Sequence, residues 1–121
     1  MTAAQALGLN ALLLAVLLGV QVLFRVRATS VGYALGSLDA QLPEGVLASR
    51  ARRVVSNQIE AMVLLAAAAI LDPVASGLAW VVLFARLAYV LAALGGVPLL
   101  RSATWLVGFG ATVVLVVSAL L

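Results

Sequence analysis

Two long runs without a charged side chain limit what this chain can fold into. The first extends from Thr2 to Phe24 and the second from Ser102 to Leu121. As a helix, the first run would measure about 35 Å, enough to cross the roughly 30 Å hydrocarbon core of a bilayer. Of the whole chain 9% is charged, whereas roughly a quarter of a soluble domain is charged. The sequence therefore predicts an all-α integral membrane protein.

Turn-forming residues divide the chain into four apolar segments. Asp72-Pro73 ends the second, because proline disfavours helix in the residue before it. Gly95-Gly96 ends the third, and Pro98 suits the first turn of the fourth. The two short links make consecutive helices antiparallel. We predict one domain over residues 1–121, a four-transmembrane-helix antiparallel bundle with helices at about 2–26, 50–71, 74–94 and 98–121.

The arginines predict the orientation of the bundle. They flank a polar connection at about 27–49, and Arg101 follows the third helix. The positive-inside rule then places the first and third connections in the cytoplasm. Both termini would lie on the outer side, which is the periplasm if the host is the bacterial inner membrane. Arg25 and Arg27 follow the first apolar run rather than precede it, which favours a retained helix over a signal peptide.

The residue types that are missing exclude several functions. The chain has no cysteine and no histidine, so thiolate or imidazole metal sites and a histidine base are excluded, and we predict no metal. A net charge of +3, placed beside membrane segments, predicts no nucleic-acid partner. If the protein is an enzyme, its nucleophile should come from the substrate. Arginine is almost never deprotonated, so its plausible contribution is to hold an anion electrostatically.

Polar residues in the second helix form a stripe along one side. At about 100° per residue, Arg53, Asn57 and Glu60 fall within about 60° of one another, and Arg50 lies one turn before them. Ionisable groups at membrane depth are costly and usually face the bundle interior or a wet cavity. The stripe could be structural, with Glu60 paired to an arginine, or it could form an anion-binding wall. The two readings are compatible.

The third and fourth helices add three further polar candidates. Arg86 and Tyr89 are three residues apart and share a face of the third helix. We predict that Glu60, the one carboxylate well inside a helix, pairs with Arg86. Arg101 would be either a topology anchor at the interface or a cation aimed at a bound anion or thiolate. The smaller polar residues are predicted to join helices: Thr2, Gln5, Asn10, Gln21, Thr104, Thr112 and Ser118.

Several segments resemble the MAPEG family, the membrane-associated proteins of eicosanoid and glutathione metabolism. Arg53, Asn57 and Glu60 match the spacing of the family's helix-two signature, and Ala85-Arg86-Leu-Ala-Tyr89 matches its helix-three element. The segments 95–105 and 33–39 are similar to the turn and loop of bacterial members. The resemblance covers nearly the whole chain.

That resemblance implies a homotrimer that binds glutathione as a co-substrate between adjacent protomers, near the cytosolic side. Arg101 would stabilise the thiolate. The tripeptide would be held by Arg50, Arg53, Asn57, Glu60, Arg86 and Tyr89. Two positions depart from the family pattern: Ala93 stands where many members have a second tyrosine, and Met62-Val-Leu-Leu65 replaces a common Pro-Leu-Phe. The missing tyrosine removes a hydroxyl and a ring from the implied pocket.

The function predicted on these grounds is a membrane-bound glutathione transferase or peroxidase acting on lipophilic small molecules dissolved in the bilayer. One alternative is a small four-helix multidrug transporter that uses Glu60. In such transporters, however, the carboxylate belongs in the first helix, and Arg86 would repel a cationic drug. Another alternative is a catalytically silent member of the family that keeps the scaffold.

Overall fold

The computed structural model describes residues 1–28 and 45–121. These residues form four α-helices and no strand. The helices are α1 (Ala3–Ala28), α2 (Gly45–Leu71), α3 (Ala79–Gly95) and α4 (Pro98–Leu120). The predicted all-α four-helix membrane bundle is confirmed.

Three of the four helices, α1, α2 and α4, are long and apolar enough to cross a membrane. The fourth, α3, is an apolar helix of 17 residues, which corresponds to about 26 Å. That length is at the lower limit for a transmembrane helix, roughly 17–25 residues.

Two helix ends differ from the predicted positions. Helix α2 begins at Gly45 rather than Arg50, so the last part of the predicted 27–49 connection is helical. Helix α3 begins at Ala79 rather than Val74, because turns fill the segment before it. In these turns the Ala75 amide donates to the Asp72 carbonyl at 3.3 Å, and the Ala79 amide to the Ser76 carbonyl at 3.2 Å. The middle of the predicted connection, 29–44, lies outside the described residues.

The first turn of α1 is capped by its own side chains. The backbone N–H of Gln5 donates to Thr2 Oγ1 at 3.2 Å, and the backbone N–H of Thr2 donates to Gln5 Oε1 at 3.0 Å. This reciprocal pair is a capping box, which satisfies backbone donors that a helix start would leave free. The next free donor, the Ala3 amide, bonds the Ala75 carbonyl at 2.6 Å. Thr2 and Gln5 therefore cap α1 rather than join helices as predicted.

Three hydroxyls that were predicted to join helices instead bond their own helix. Thr104 Oγ1 donates to the Leu100 carbonyl, Thr112 Oγ1 to the Gly108 carbonyl and Ser118 Oγ to the Val114 carbonyl, all at 2.7 to 2.8 Å. A short hydroxyl reaches the carbonyl one turn back more easily than a neighbouring helix. Their hydroxyl hydrogen bonds therefore do not join helices as predicted.

The buried apolar residues form two clusters along the bundle. One lies near the α2–α3 turn and contains Ala6, Leu65, Ala68, Ala79, Val82, Ala111 and Leu115. The other lies toward the α3–α4 turn and contains Leu17, Val54, Val55, Tyr89, Val90 and Ala93. The many alanines allow the helices to approach closely, as is typical of membrane bundles. Three polar side chains are as deeply buried as these clusters: Asn10, Gln58 and Arg86.

Candidate functional site

Four polar residues that the sequence singled out line one cavity at the α3–α4 turn. This arginine cavity has a volume of about 210 Å³. Its polar side chains are Arg50 and Arg53 from α2, Tyr89 from α3 and Arg101 from α4. Tyr89 is buried, whereas Arg53 and Arg101 are exposed. Three guanidinium groups around one cavity form a site suited to an anion with more than one negative group.

The α3–α4 turn beside this cavity depends on two adjacent glycines, Gly95 and Gly96. Gly96 has a φ of 74°, in the left-handed region that favours glycine. Its amide donates to the Ala93 carbonyl at 3.3 Å, and the Val97 amide donates to the Ala92 carbonyl at 3.0 Å. This bond pattern is a Schellman motif. The turn reverses the chain within a few residues and places Arg101 beside the end of α3.

Arg50 closes the same helix end from α2. Its Nη1 donates to the Leu94 carbonyl at 3.2 Å. A cation at the C-terminus of a helix satisfies a carbonyl that has no partner in the helix and interacts favourably with the helix dipole. Part of the hydrogen-bonding capacity of Arg50 is therefore used within the fold.

We expect Gly96→Ala to destabilise the protein and Gly95→Ala to leave it intact. The left-handed conformation costs about 1–2 kcal/mol for a residue with a side chain. A Cβ at Gly96 would also lie 2.6 Å from Arg50 Nη2, so the Arg50 side chain would have to move away from the Leu94 carbonyl. A Cβ at Gly95 would meet nothing within 4 Å. Thermal unfolding of both variants in the same detergent checks this. Equal melting temperatures would contradict the proposed strain.

A second cavity lies farther along the bundle, between α2 and α4. This midhelix cavity has a volume of about 150 Å³. Its lining residues are Asn57, Glu60, Ala61, Leu64, Arg86, Trp105, Gly108, Phe109 and Thr112. Most of them are apolar, and the rings of Trp105 and Phe109 stack with centroids 5.0 Å apart. Its charged side chains come from α2 and α3, whereas α4 contributes two aromatic rings, Gly108 and the hydroxyl of Thr112.

Arg86 is held by neutral amides, and the predicted ion pair with Glu60 is wrong. Arg86 is 3% exposed. Its Nε donates to Gln58 Oε1 and its Nη1 donates to Asn57 Oδ1, both at 2.9 Å. Glu60 has an exposed side chain and makes no ion pair with any residue that the structure describes. Gln58 points inward, and Glu60, about 200° further around α2, points elsewhere.

The hydrogen bonds of Arg86 continue through Gln58 to the first helix. Gln58 Nε2 donates to Asn10 Oδ1 at 3.0 Å and to the Asn10 carbonyl at 3.2 Å. Asn10 Nδ2 donates to the Ala6 carbonyl at 2.8 Å. Gln58 and Asn10 are 0% and 1% exposed. The prediction that Asn10 joins helices is confirmed, whereas Gln58 was not among the predicted site residues.

A signal for Gln58 was present in the sequence. It lies seven residues after Ala51 and seven before Leu65, and both of these are buried. Seven residues are almost two full turns, so the three side chains share one face of α2. A polar residue within an apolar stripe should have a buried partner. Pairing by charge predicts Glu60 instead.

Arg86 also links the two cavities. Its Cζ lies 4.6 Å from the centroid of the Tyr89 ring, a cation–π contact. Arg86 lines the midhelix cavity and Tyr89 lines the arginine cavity. Arg86 Nη2 is buried and has no hydrogen-bond partner among the described residues. The Arg86 guanidinium group therefore keeps one nitrogen, Nη2, that bonds none of the described residues.

The structure places the seven candidate site residues in these two neighbouring cavities. Arg50, Arg53, Tyr89 and Arg101 line the arginine cavity, and Asn57, Glu60 and Arg86 line the midhelix cavity. Ala93 lines the arginine cavity as well. A tyrosine at that position would therefore extend into this cavity, and alanine leaves the space open.

The fold and the buried polar groups define a class: small helical membrane proteins with polar side chains between their helices. The chain belongs to the MAPEG family, whose family model matches residues 3–121. Neither a curated protein nor a solved structure gives a significant match. The resemblance noted from the sequence motifs is confirmed at the level of the family.

Proposed function

We propose that the protein is a membrane-bound glutathione transferase or glutathione peroxidase for lipophilic electrophiles. The observation that carries this proposal is the pair of neighbouring cavities, one with three arginines and one with mainly apolar walls. Glutathione carries two carboxylates and a thiol that reacts as a thiolate. The cationic cavity suits the carboxylates of the tripeptide, which would extend along the charged side of the midhelix cavity, and the apolar residues of the midhelix cavity suit a substrate that dissolves in lipid. Family membership supports a glutathione-linked function in general terms.

In the proposed reaction the nucleophile is the thiolate sulfur of glutathione. It attacks an electrophilic carbon, a carbon–sulfur bond forms, and the leaving group departs with its electron pair. With a lipid hydroperoxide, two glutathiones are oxidised to the disulfide while the hydroperoxide is reduced to an alcohol and water. The protein would contribute electrostatic stabilisation of the thiolate and orientation of the tripeptide.

The proposed roles follow the positions of the side chains. Arg101, exposed at the arginine cavity, stabilises the thiolate. The tripeptide is held by Arg50, Arg53, Asn57, Glu60, Arg86 and Tyr89. Glu60 is suited to the ammonium group of glutathione, because its carboxylate has no ion-pair partner among the described residues.

Glutathione binding to the protein purified in mild detergent tests the proposal directly. We expect saturable binding and conjugation of glutathione to a chlorinated nitrobenzene. Arg27→Ala is a suitable control, since Arg27 is an exposed arginine at the end of α1 that lines neither cavity. It should behave like the parent. If the parent protein neither binds nor conjugates glutathione, the proposed function is wrong.

We propose that the protein assembles as a homotrimer. Arg53 and Glu60 are exposed on α2 in a single copy, and a carboxylate facing lipid within a membrane helix is costly. A neighbouring protomer that covers this face removes the cost, and the family supplies the number three. Native mass spectrometry in mild detergent should give a trimer. A stable monomer or dimer would count against the assembly.

We also propose an orientation with both termini on the outer side, periplasmic in a bacterial inner membrane. Arg25, Arg27 and Arg50 lie at the ends of α1 and α2 that carry the first connection. Arg101 lies at the same end of the bundle, beside the α3–α4 turn. A reporter fused after Leu121 should behave as periplasmic. A cytoplasmic signal would reverse the orientation and move the arginine cavity to the opposite face of the membrane.

The transporter alternative rests on Glu60, which is free of ion pairs within the described residues. Arg86 lines the same cavity, so a cationic drug would meet a buried positive charge there. The geometry supports an anionic ligand better. Glu60→Gln distinguishes the two functions, because it should abolish proton-coupled drug transport but only weaken glutathione binding.

A further inference from the structure

The buried hydrogen bonds from α3 to α1 have only one possible direction. Arg86 can donate but cannot accept, so Gln58 must present its oxygen to Arg86 Nε. The Gln58 nitrogen then faces α1 and requires an acceptor, which is Asn10 Oδ1 at 3.0 Å. Asn10 must in turn present its nitrogen to the Ala6 carbonyl. The charge on Arg86 therefore fixes the orientation of both amides, and the amides fix the position of Arg86.

These contacts leave one end of the guanidinium group for a ligand. Gln58 takes Nε and Asn57 takes Nη1, while the Tyr89 ring lies against Cζ at 4.6 Å. Nη2 alone has no partner among the described residues, although it is buried. A guanidinium held on these sides cannot rotate to offer a different nitrogen. Its free donor points in one direction before any ligand arrives.

We infer that Gln58 and Asn10 are positioning residues, which hold Arg86 so that Nη2 is presented to a carboxylate of the bound ligand. The inference rests on the proposed function, in which Arg86 helps to hold glutathione. Asn10 lines neither cavity and lies in a different helix from every candidate site residue. It acts on the ligand through Gln58 and Arg86, so α1 takes part in binding without touching the ligand.

The test compares two amides of α1. Asn10→Leu keeps the size of the side chain and removes its two hydrogen bonds, so that Gln58 Nε2 keeps only the backbone carbonyl of residue 10 as an acceptor. Gln21→Leu removes a half-buried amide of the same helix that is not part of this chain of hydrogen bonds. We expect Asn10→Leu to raise the KM for glutathione about ten-fold with little change in kcat, because an interaction of the bound substrate is weakened. Gln21→Leu should leave both constants unchanged.

A conservative variant separates positioning from structural support. In its protonated form the side chain of Asn10→Asp keeps one acceptor and one donor. Its carbonyl oxygen can accept from Gln58 and its hydroxyl can donate to the Ala6 carbonyl. We expect this variant to restore the parent KM. A KM that is unchanged in Asn10→Leu, or equally raised in Gln21→Leu, would overturn the inference.

A measurement on the protein without glutathione keeps the inference separate from the proposed function. In protein labelled with ¹⁵N-arginine, the Nε–H of Arg86 should exchange slowly with water, and Arg86→Lys identifies its signal. We expect faster exchange in Asn10→Leu and unchanged exchange in Gln21→Leu. If Asn10→Leu does not fold, Asn10→Ala replaces it. If the Arg86 Nε–H exchanges at the same rate in Asn10→Leu as in the parent, the positioning role is wrong. If the parent protein does not bind glutathione, only the proposed function is wrong.

Discussion

Replacing Arg101 with alanine should lower glutathione conjugation about ten-fold at pH 7 and leave the fold intact. An unperturbed thiol has a pKa near 8.5, so only a few per cent is ionised at neutral pH. A guanidinium close to the sulfur favours the thiolate, and each unit by which the thiol pKa falls corresponds to about 1.4 kcal/mol. Without Arg101 the bound thiol returns toward its ordinary pKa. The deficit should therefore be largest near pH 7 and disappear above about pH 9, where the thiol ionises unaided.

The pH profile of conjugation, together with ultraviolet titration of the bound thiolate, measures this effect. Arg101 is exposed and its side chain bonds no residue that the structure describes, so its removal strands no partner and the melting temperature should not change. Arg53→Ala is a matched control, since Arg53 is another exposed arginine of the same cavity. It should raise the KM for glutathione without moving the pH profile. Identical profiles for the parent and Arg101→Ala would refute the role.

Gln58→Leu should destabilise the protein by about 2–4 kcal/mol, whereas Glu60→Gln should change stability by less than about 0.5 kcal/mol. Gln58 is fully buried and is the partner of both Arg86 Nε and Asn10 Oδ1. Leucine leaves a donor of a buried charge and an amide oxygen without partners, and each such loss costs about 1–3 kcal/mol. Glu60 is exposed and unpaired within the described residues. Unfolding in mixed micelles of rising denaturing-detergent content compares the two.

This comparison reverses the result that the sequence alone would predict. A Glu60–Arg86 ion pair would make Glu60→Gln the damaging change, because removing one partner of a buried pair costs about 3–5 kcal/mol. A large loss of stability in Glu60→Gln that Arg86→Leu does not add to would therefore mean that the ion pair forms after all. Val63→Leu, at an exposed position on the same helix, sets the baseline for a neutral substitution.

The helices were predictable because their ends depend on local chemistry. Gly95-Gly96 ends α3 through a positive φ at Gly96, and Pro98 begins α4 where a missing amide costs nothing. The start of α3 was not predictable in the same way. Ser76 and Gly77 are turn-forming residues, but the extent of the turns depends on backbone bonds such as the one between the amide of Ala75 and the carbonyl of Asp72.

The partners of Arg86 could not be read from charge alone. Glu60 has the opposite sign and Gln58 is neutral, so pairing by charge selects Glu60. Burial selects Gln58, because Gln58 lies on the face of α2 that packs inward. The seven candidate residues do line two neighbouring cavities, since sequence spacing predicts the face of each helix. Which residues of different helices then meet depends on packing, which spacing does not reveal.

The hydrogen bonds between Arg86 and the amides have a consequence for membrane insertion, because the helices are synthesised one after another. An arginine at the centre of an inserting helix adds about 2.5–3.5 kcal/mol to the free energy of leaving the translocon for lipid. Asn10 and Gln58 lie in helices that are synthesised before α3, so their amides are already within the membrane when Arg86 emerges. The amides of α1 and α2 can therefore stabilise Arg86 as α3 inserts, and α3 expressed alone should insert poorly.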